Sequence, residues 1–209
     1  MKAHTKETQS TMTPEKSLQF LQEGNQRFQD NLKAHRNLLE QVNDTSEGQF
    51  PFATILSCID SRVSAELVFD QGLGDIFSIR IAGNFVNQDI LGSMEFACKL
   101  AGTKLVVVLG HTSCGAIKGA CDNAKLGNLT AMLNNIKPAV NSVTEPKEDS
   151  LRKSSNLEFV DNVSAKNVEL TIERIRNESD VLSAMEQAGE IMIVGAMYNV
   201  SDGSVSFLD

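Results

Sequence analysis

The sequence predicts an α/β fold with a mostly parallel central sheet, flanking helices and an amino-terminal helical arm. Two observations support this prediction. Short apolar runs alternate along the chain with segments of helical periodicity, which is typical of parallel sheets covered by helices. The clearest run, at residues 104–110, is apolar after its first lysine, as expected for a strand buried on both faces. A length of 209 residues fits one domain over residues 1–209.

The amino-terminal arm comes first in the chain. Residues 1–13 are polar and are expected to be flexible. From Pro14 onward, Leu18, Leu21 and Phe28 recur at spacings that fit one face of a helix. Proline is favourable in the first turn, because the amide hydrogen that it lacks would have no partner there. The arm is therefore predicted to be a helix that begins near Pro14.

Four apolar runs predict the strands of the sheet. Each is short, and glycine, asparagine or proline lies next to several of them, which favours buried strands over helices. The runs lie at residues 52–57, 76–82, 104–110 and 190–200. Beyond them, Asp202 and Gly203 separate two short segments, a pattern that predicts a hairpin.

Helical patterns connect these strands and are expected to cover the sheet. In one of them, Leu91, Met94 and Cys98 fall on the same side, and Gly102 lies just past the end. The predicted helices lie at residues 64–70, 90–102, 112–124 and 156–177. Residues 141–156 are predicted to form a polar loop before the last of these helices.

Composition and charge restrict the classes of function. The net charge of −8 disfavours nucleic acid and anionic membranes as partners, because both repel an acidic protein. The start of the chain lacks the apolar segment of a secretory signal, and no stretch approaches the roughly 20 apolar residues of a membrane span. A cytoplasmic location is therefore expected, where cysteines indicate metal binding or catalysis rather than disulfides.

The predicted topology brings metal-binding residue types to one edge of the sheet. Cys58 and Asp60 follow the first strand. His111 and Cys114 follow the strand at residues 104–110, and ligands of parallel sheets bind beyond the carboxyl ends of strands. Cysteine sulfur, histidine nitrogen and carboxylate oxygen are the donors that Zn²⁺ takes in proteins. A zinc site is therefore predicted at this edge.

Taken alone, each cysteine is more often a small buried hydrophobic residue than a metal ligand. For Cys58 and Cys114, the histidine and carboxylate at the same edge favour metal binding. Cys98 lies on the apolar side of a predicted helix and Cys121 lies two turns beyond Cys114, so both are predicted to be packed in the core. The remaining histidines stand in polar surroundings and are expected to be exposed: His4 and His35.

Asp60 can take two roles, because Arg62 lies two residues beyond it. It can bind the metal and close the fourth coordination position. It can instead pair with the guanidinium of Arg62 through a charge-assisted bond, which leaves that position open for a water molecule whose pKa the metal lowers.

Four segments of the sequence closely resemble the β-class carbonic anhydrases: CIDSRV, GDIFSIRIAGN, SMEFA and VVVLGHTSCGAIKGA. The similarity runs from about residue 18 to the last strand, and the pairing of C-x-D-S-R with G-H-x-x-C-G is highly specific. The resemblance implies a zinc enzyme that interconverts carbon dioxide and bicarbonate, with Asp60 and Arg62 as the catalytic pair. It places the Zn²⁺ ion on three ligands: Cys58, His111 and Cys114.

The resemblance also implies an oligomer. Family members form at least a homodimer, often doubled to a tetramer, with active sites at the dimer interface and amino-terminal helices around the partner. Members with an open metal position bind a substrate oxygen through a glutamine just before the first strand, where this chain has Gln49. Val63, Phe77 and Phe96 are expected to form the apolar wall of the pocket.

Two positions distinguish this chain from other members of the family that it resembles. Where many members carry tyrosine in the segment S-x-E-Y-A, this chain has Phe96, which keeps the apolar wall and loses a phenol hydrogen bond. Members that switch to an aspartate-closed zinc carry tryptophan three residues before the first zinc cysteine, where this chain has Ile55. Asp60 is therefore predicted to stay off the metal at neutral pH.

Two other functions remain open at this stage. A structural or regulatory zinc domain would need a coordination sphere filled by the protein, with Asp60 or Cys98 as a permanent fourth ligand. A zinc enzyme for another small substrate, such as carbon disulfide, would keep the same ligands and differ only in its pocket.

Overall fold

The computed structural model describes residues 2–208, and its strands form a five-stranded sheet. The strands are β1 (Ala53–Ser57), β2 (Ile76–Arg80), β3 (Leu105–His111), β4 (Met192–Tyr198) and β5 (Val205–Phe207). Their order across the sheet is β2-β1-β3-β4-β5; the first four are parallel, and β5 runs antiparallel to β4. The predicted mostly parallel sheet and the closing hairpin are confirmed.

Ten α-helices flank the sheet within residues 2–208: α1 (Lys6–Ser10), α2 (Pro14–Gln29), α3 (Leu38–Asp44), α4 (Ala65–Val68), α5 (Gln88–Glu95), α6 (Gly115–Cys121), α7 (Gly127–Leu133), α8 (Lys137–Ser142), α9 (Leu157–Glu178) and α10 (Asp180–Gln187). A π-helical segment, Phe96–Leu100, continues α5, and a 3₁₀ turn lies at Asp149–Leu151. None of the described helices combines the length and apolar character needed to cross a membrane.

Both faces of the sheet are buried. Every residue of β1 and of β3 is buried, which explains why their sequences are continuously apolar. Successive side chains point to opposite faces: Ile55 joins the core beneath α2 and α4, whereas Leu56 joins the core beneath α5, α9 and α10.

The predicted arm helix is confirmed as α2, and it is fixed closely to the core. A Cβ atom at Gly24 would lie 1.9 Å from the carbonyl oxygen of Phe69, so only glycine permits this approach. The next residue, Asn25, is buried and donates hydrogen bonds to the carbonyls of Val68 (3.0 Å) and Gly203 (2.9 Å). The arm therefore contacts both the α4 region and the carboxyl-terminal hairpin.

Residues 2–13, which were predicted to be flexible, form a short helix and contact the core, whereas Met1 lies outside the described residues. The segment Lys6–Ser10 forms α1, and Thr5 caps its first turn. The side-chain amide of Gln9 donates to the carbonyls of Pro51 (2.7 Å) and Ala101 (2.9 Å). Its polar side chains thus bond to the backbone of the core, which its composition does not reveal.

His4 also differs from its prediction. Its ring packs in a T-shaped contact with Phe52, with 5.2 Å between ring centroids, and burial lowers its pKa. The neighbouring Ala3 and Met12 are buried as well. His35, in contrast, is exposed as predicted.

Five further helices were not predicted from the sequence: α1, α3, α7 and α8 are short, and α10 follows α9 after a single residue. Helices of fewer than about 12 residues are marginal by themselves and depend on tertiary packing. Their sequences therefore carry only weak periodic signals.

Candidate metal centre

The carboxyl ends of β1 and β3 lie side by side and carry the residues predicted to bind metal. Ser57 at the end of β1 pairs with Leu109 of β3, so Cys58 and His111 emerge at one edge of the sheet. Cys114 lies directly before α6. A ring nitrogen of His111 and the two sulfur atoms all lie within 4.8 Å of one another. Within residues 2–208, no other group of three or more such side chains could hold a metal ion.

His111 presents an unpartnered nitrogen to this cluster. Its Nδ1 lies 2.9 Å from the carbonyl oxygen of Thr112, which favours the tautomer with the proton on Nδ1. Its Nε2 is buried and has no hydrogen-bond partner. A buried lone pair is unfavourable unless it meets a donor or a metal ion, and a backbone carbonyl on the other nitrogen is typical of histidine ligands. Two sulfurs and one imidazole nitrogen therefore fit a zinc ion.

The two thiols are close enough to share a proton. Cys58 Sγ lies 3.9 Å from Cys114 Sγ, and the backbone amide of Gly83 donates to Cys58 Sγ at 3.4 Å. The hydrogen bond from Cys114 lowers the pKa of Cys58 to about 4. The same interaction, together with burial, raises the pKa of Cys114. Of the two cysteines, Cys58 is therefore the one that more readily becomes a thiolate, which is the form that binds metal ions.

Asp60 is paired with Arg62 beside the cluster. Arg62 Nε donates to Oδ1 and Nη2 donates to Oδ2, each at 2.9 Å, and the backbone amide of Arg62 adds a bond of 3.0 Å to Oδ1. These bonds hold the pKa of Asp60 well below its ordinary value, so the carboxylate is charged at neutral pH. Asp60 Oδ2 lies 3.9 Å from Nε2 of His111. The carboxylate can therefore accept a hydrogen bond from a group bound at the cluster.

Arg80, which the sequence analysis missed, fixes the turn that carries these residues. Its Nε donates to the carbonyl oxygen of Cys58 at 3.0 Å, and its Nη2 donates to that of Asp60 at 2.7 Å. Arg80 ends β2 and pairs in register with Ser57. An arginine at the carboxyl end of a neighbouring parallel strand was the available signal.

The predicted substrate contacts lie away from the cluster within one chain. Phe77 pairs in register with Thr54, so it lies about 13 Å along the strand direction from Cys58. Its ring makes a T-shaped contact with Phe96, with centroids 6.3 Å apart, and both line a cleft of about 1130 Å³. Gln49 is exposed and lines a separate pocket of about 610 Å³ near the end of α3.

Val63 and the two remaining cysteines are core residues in this chain. Val63 is fully buried beneath the Asp60 turn, so its predicted contact with substrate is not found on the surface of a single chain. Cys98 and Cys121 are packed in apolar clusters, as predicted.

Comparisons with known proteins agree with this geometry. Residues 53–205 match the family model of the carbonic anhydrases. A carbonic anhydrase of Mycolicibacterium smegmatis is 35% identical over 186 residues, which cover 88% of each chain. The solved structure of the β-carbonic anhydrase CcaA is 26% identical, with a TM-score of 0.71, and covers 92% of this chain and 95% of its own. That of the β-carbonic anhydrase CafA of Aspergillus fumigatus is 29% identical, with a TM-score of 0.71, and covers 82% and 81%.

Proposed function

The chain belongs to the β-class carbonic anhydrases, which interconvert carbon dioxide and bicarbonate, and we propose that it performs this reaction with a zinc ion on Cys58, His111 and Cys114. The observation that carries the proposal is the buried, unpartnered Nε2 of His111 beside two cysteine sulfurs. Three protein ligands are the number typical of a catalytic zinc site, whereas structural sites use four.

The residues around the site have separate roles in the reaction. A zinc ion held there would act as a Lewis acid and lower the pKa of a water molecule in its open position. Asp60 accepts a hydrogen bond from a donor at that position and so orients it. Arg62 keeps the carboxylate charged and holds it in one orientation through two side-chain bonds. His4 packs on Phe52, which lies just before β1 at the end of the strand opposite Cys58, so it is not placed to accept the released proton.

The substrate pocket is completed by a second copy of the chain. The outer edge of β2 has no strand partner within residues 2–208, and unpaired strand edges favour pairing with another chain. Phe96 contacts Phe77 of this strand, and Phe96 and Leu100, which belong to the same π-helical segment, are 51% and 75% exposed. A homodimer across this edge covers both side chains and places Gln49 of the partner subunit at the metal edge, where it hydrogen-bonds a substrate oxygen.

Further apolar surface supports pairing of such dimers into a tetramer. Leu38 and Leu39 of α3 are 56% and 77% exposed. Large exposed apolar side chains grouped on one short helix are typical of an interaction surface. The amino-terminal arm and α3 would then lie between subunits.

A structural zinc domain is less well supported. It needs a fourth protein ligand, and the two candidates are occupied elsewhere. Asp60 is held by Arg62, and Cys98 accepts a hydrogen bond from Thr103 at 3.4 Å in the core beneath α5. The fourth position is therefore available to water and substrate.

A cytoplasmic location is part of this proposal. All four cysteines are buried and free of disulfides. Free cysteines in a metal site are typical of a reducing compartment.

Metal analysis combined with carbon dioxide hydration tests the proposal. We expect one zinc ion per chain, and loss of both zinc and activity in Cys114→Ser. The matched control is Cys121→Ser, since Cys121 is equally buried but lies outside the cluster. Full retention of zinc by Cys114→Ser would remove that residue from the site.

A further inference from the structure

Helix α9 carries three polar residues that contact both halves of the metal centre. We propose that Asp161, Ser164 and Asn167, here called the α9 stripe, are positioning residues that hold the two ligand-bearing loops in register. The inference rests on the zinc site proposed above. Residues three apart are neighbours on a helix surface, so the stripe is continuous.

The first two members fix the loop between His111 and Cys114. Asp161 Oδ1 accepts the backbone amide of Ser113 at 2.7 Å. Ser113 has φ of 56°, a left-handed conformation that is unfavourable for a residue with a side chain, so the carboxylate stabilises a strained turn. Ser164 Oγ donates to the carbonyl oxygen of His111 at 3.0 Å. The backbone is thus held at His111 and at the residue immediately before Cys114.

The third member acts on the loop that supports Cys58. Asn167 is 3% exposed, and its Nδ2 donates to the carbonyl oxygen of Gly83 at 2.8 Å. Gly83 in turn donates its amide to Cys58 Sγ at 3.4 Å. A Cβ at Gly83 would lie 2.4 Å from Cδ1 of Ile136, so this residue is closely enclosed. Asn167 is therefore linked to the Cys58 sulfur by hydrogen bonds through the backbone of Gly83.

The helix itself is seated firmly enough to serve as a reference for both loops. It spans 22 residues and packs against β3 and β4. A Cβ at Gly110 would lie 2.6 Å from Cγ2 of Val168, so α9 lies directly on the strand that ends at His111. The separation of Cys58 from the other two ligands is therefore set by one rigid element rather than by two independent loops.

Zinc affinity measured by competition with a chromophoric chelator tests the inference. We expect Asp161→Ala, Ser164→Ala and Asn167→Leu to weaken zinc binding by about 10- to 100-fold, as loss of hydrogen bonds that orient metal ligands does. Asp161→Asn keeps an oxygen that can accept the Ser113 amide, so it should restore most of the affinity lost in Asp161→Ala. The pH–rate profile is recorded for each variant to detect a change in the metal's electrostatic environment.

The control is Thr171→Val, one turn further along α9. Thr171 is 2% exposed and hydrogen-bonds neither loop, so this variant reports loss of helix packing alone. The inference would be overturned if zinc affinity in the stripe variants fell only in proportion to their loss of thermal stability, as in Thr171→Val. Unchanged zinc affinity in all stripe variants would also overturn it. Zinc binding by Cys58→Ser as tight as by the wild type would instead reject the proposed site, so the two failures are distinguishable.

Discussion

The metal edge and the proposed substrate wall, which comprises Gln49, Phe77 and Phe96, differ in how completely one chain builds them. At the metal edge, Cys58, His111 and Cys114 are buried, and hydrogen bonds from the same chain support them. At the substrate wall, Gln49 and Phe96 are exposed and lie away from the metal ligands. On the proposed function, the chemistry is organised within one chain, whereas substrate contact depends on assembly.

A physical reason underlies this division. Metal affinity requires donor atoms fixed within fractions of an ångström, and buried strand ends braced by one helix provide this rigidity. A pocket for a small apolar gas needs only a dry wall, which two exposed apolar surfaces form when they meet. Substitutions at the metal edge should therefore lower activity at any protein concentration. Substitutions at the wall should lower activity by weakening the dimer.

The largest effect beyond loss of a metal ligand is expected at the Asp60–Arg62 pair. Asp60→Ala and Arg62→Ala should each lower kcat by about 100-fold or more, because a positioned hydrogen-bonding group contributes that much. Both variants should keep most of their zinc. In Arg62→Ala, the freed carboxylate of Asp60 can move onto the metal and close it. Stopped-flow hydration assays with parallel metal analysis measure both quantities.

Arg176→Ala is the matched control for this pair. Arg176 makes two bonds of 2.8 Å to Glu186, so Arg176→Ala removes the same bidentate geometry at a site away from the metal ligands. Near-normal turnover in Asp60→Ala or Arg62→Ala would mean that the catalytic pair is only a surface ion pair, worth at most about 1 kcal/mol.

A smaller effect is expected from a charge introduced between the two chains. Leu100→Asp places a carboxylate on the proposed dimer interface, which should raise the dimer dissociation constant by about 30-fold for a penalty of 2 kcal/mol. Zinc content should not change, because the metal edge is built within one chain. Sedimentation across a dilution series, with activity followed in parallel, measures the effect.

Leu126→Asp is the control for the interface. Leu126 is 72% exposed, close to the 75% of Leu100, but it lies at the start of α7 rather than beside β2. It should leave dimerisation and activity unchanged. A fully active monomer, of either the wild type or Leu100→Asp, would contradict the two-chain pocket.

The sequence predicted the metal edge well because topology alone assembles it. Cys58 and His111 each follow a run whose apolar character predicts a buried strand, and parallel strands end at one edge. Arg80 and Asn167 were missed because their contacts join segments distant in sequence and leave no periodic signal. The contacts of residues 2–13 with the core were missed for a similar reason, since Gln9 bonds to carbonyls that its own segment does not contain.

The smallest effect expected is a shallow dependence of stability and activity on pH. It depends on the metal edge alone. The bonds from Arg62 lower the pKa of Asp60, so this carboxylate stays charged over about pH 6 to 9 in both the folded and the unfolded chain. Its contribution to stability is present above its ordinary pKa and is lost only as pH falls towards the lowered value. Between about pH 6 and 9 Asp60 does not titrate, so the free energy of unfolding should not vary with pH because of this residue.

Activity over the same range should rise with pH through the single ionisation of the metal's water, at most about tenfold per pH unit. Closure of Asp60 onto the metal, coupled across subunits, would take up several protons and give a steeper curve. Ile55 is fully buried and offers no polar group where the switching members carry tryptophan, which favours the shallow curve. Hydration rates measured with and without added bicarbonate decide between them. A steep, cooperative loss below about pH 8, deepened by bicarbonate, would show that Asp60 closes this site and that the metal edge also depends on assembly.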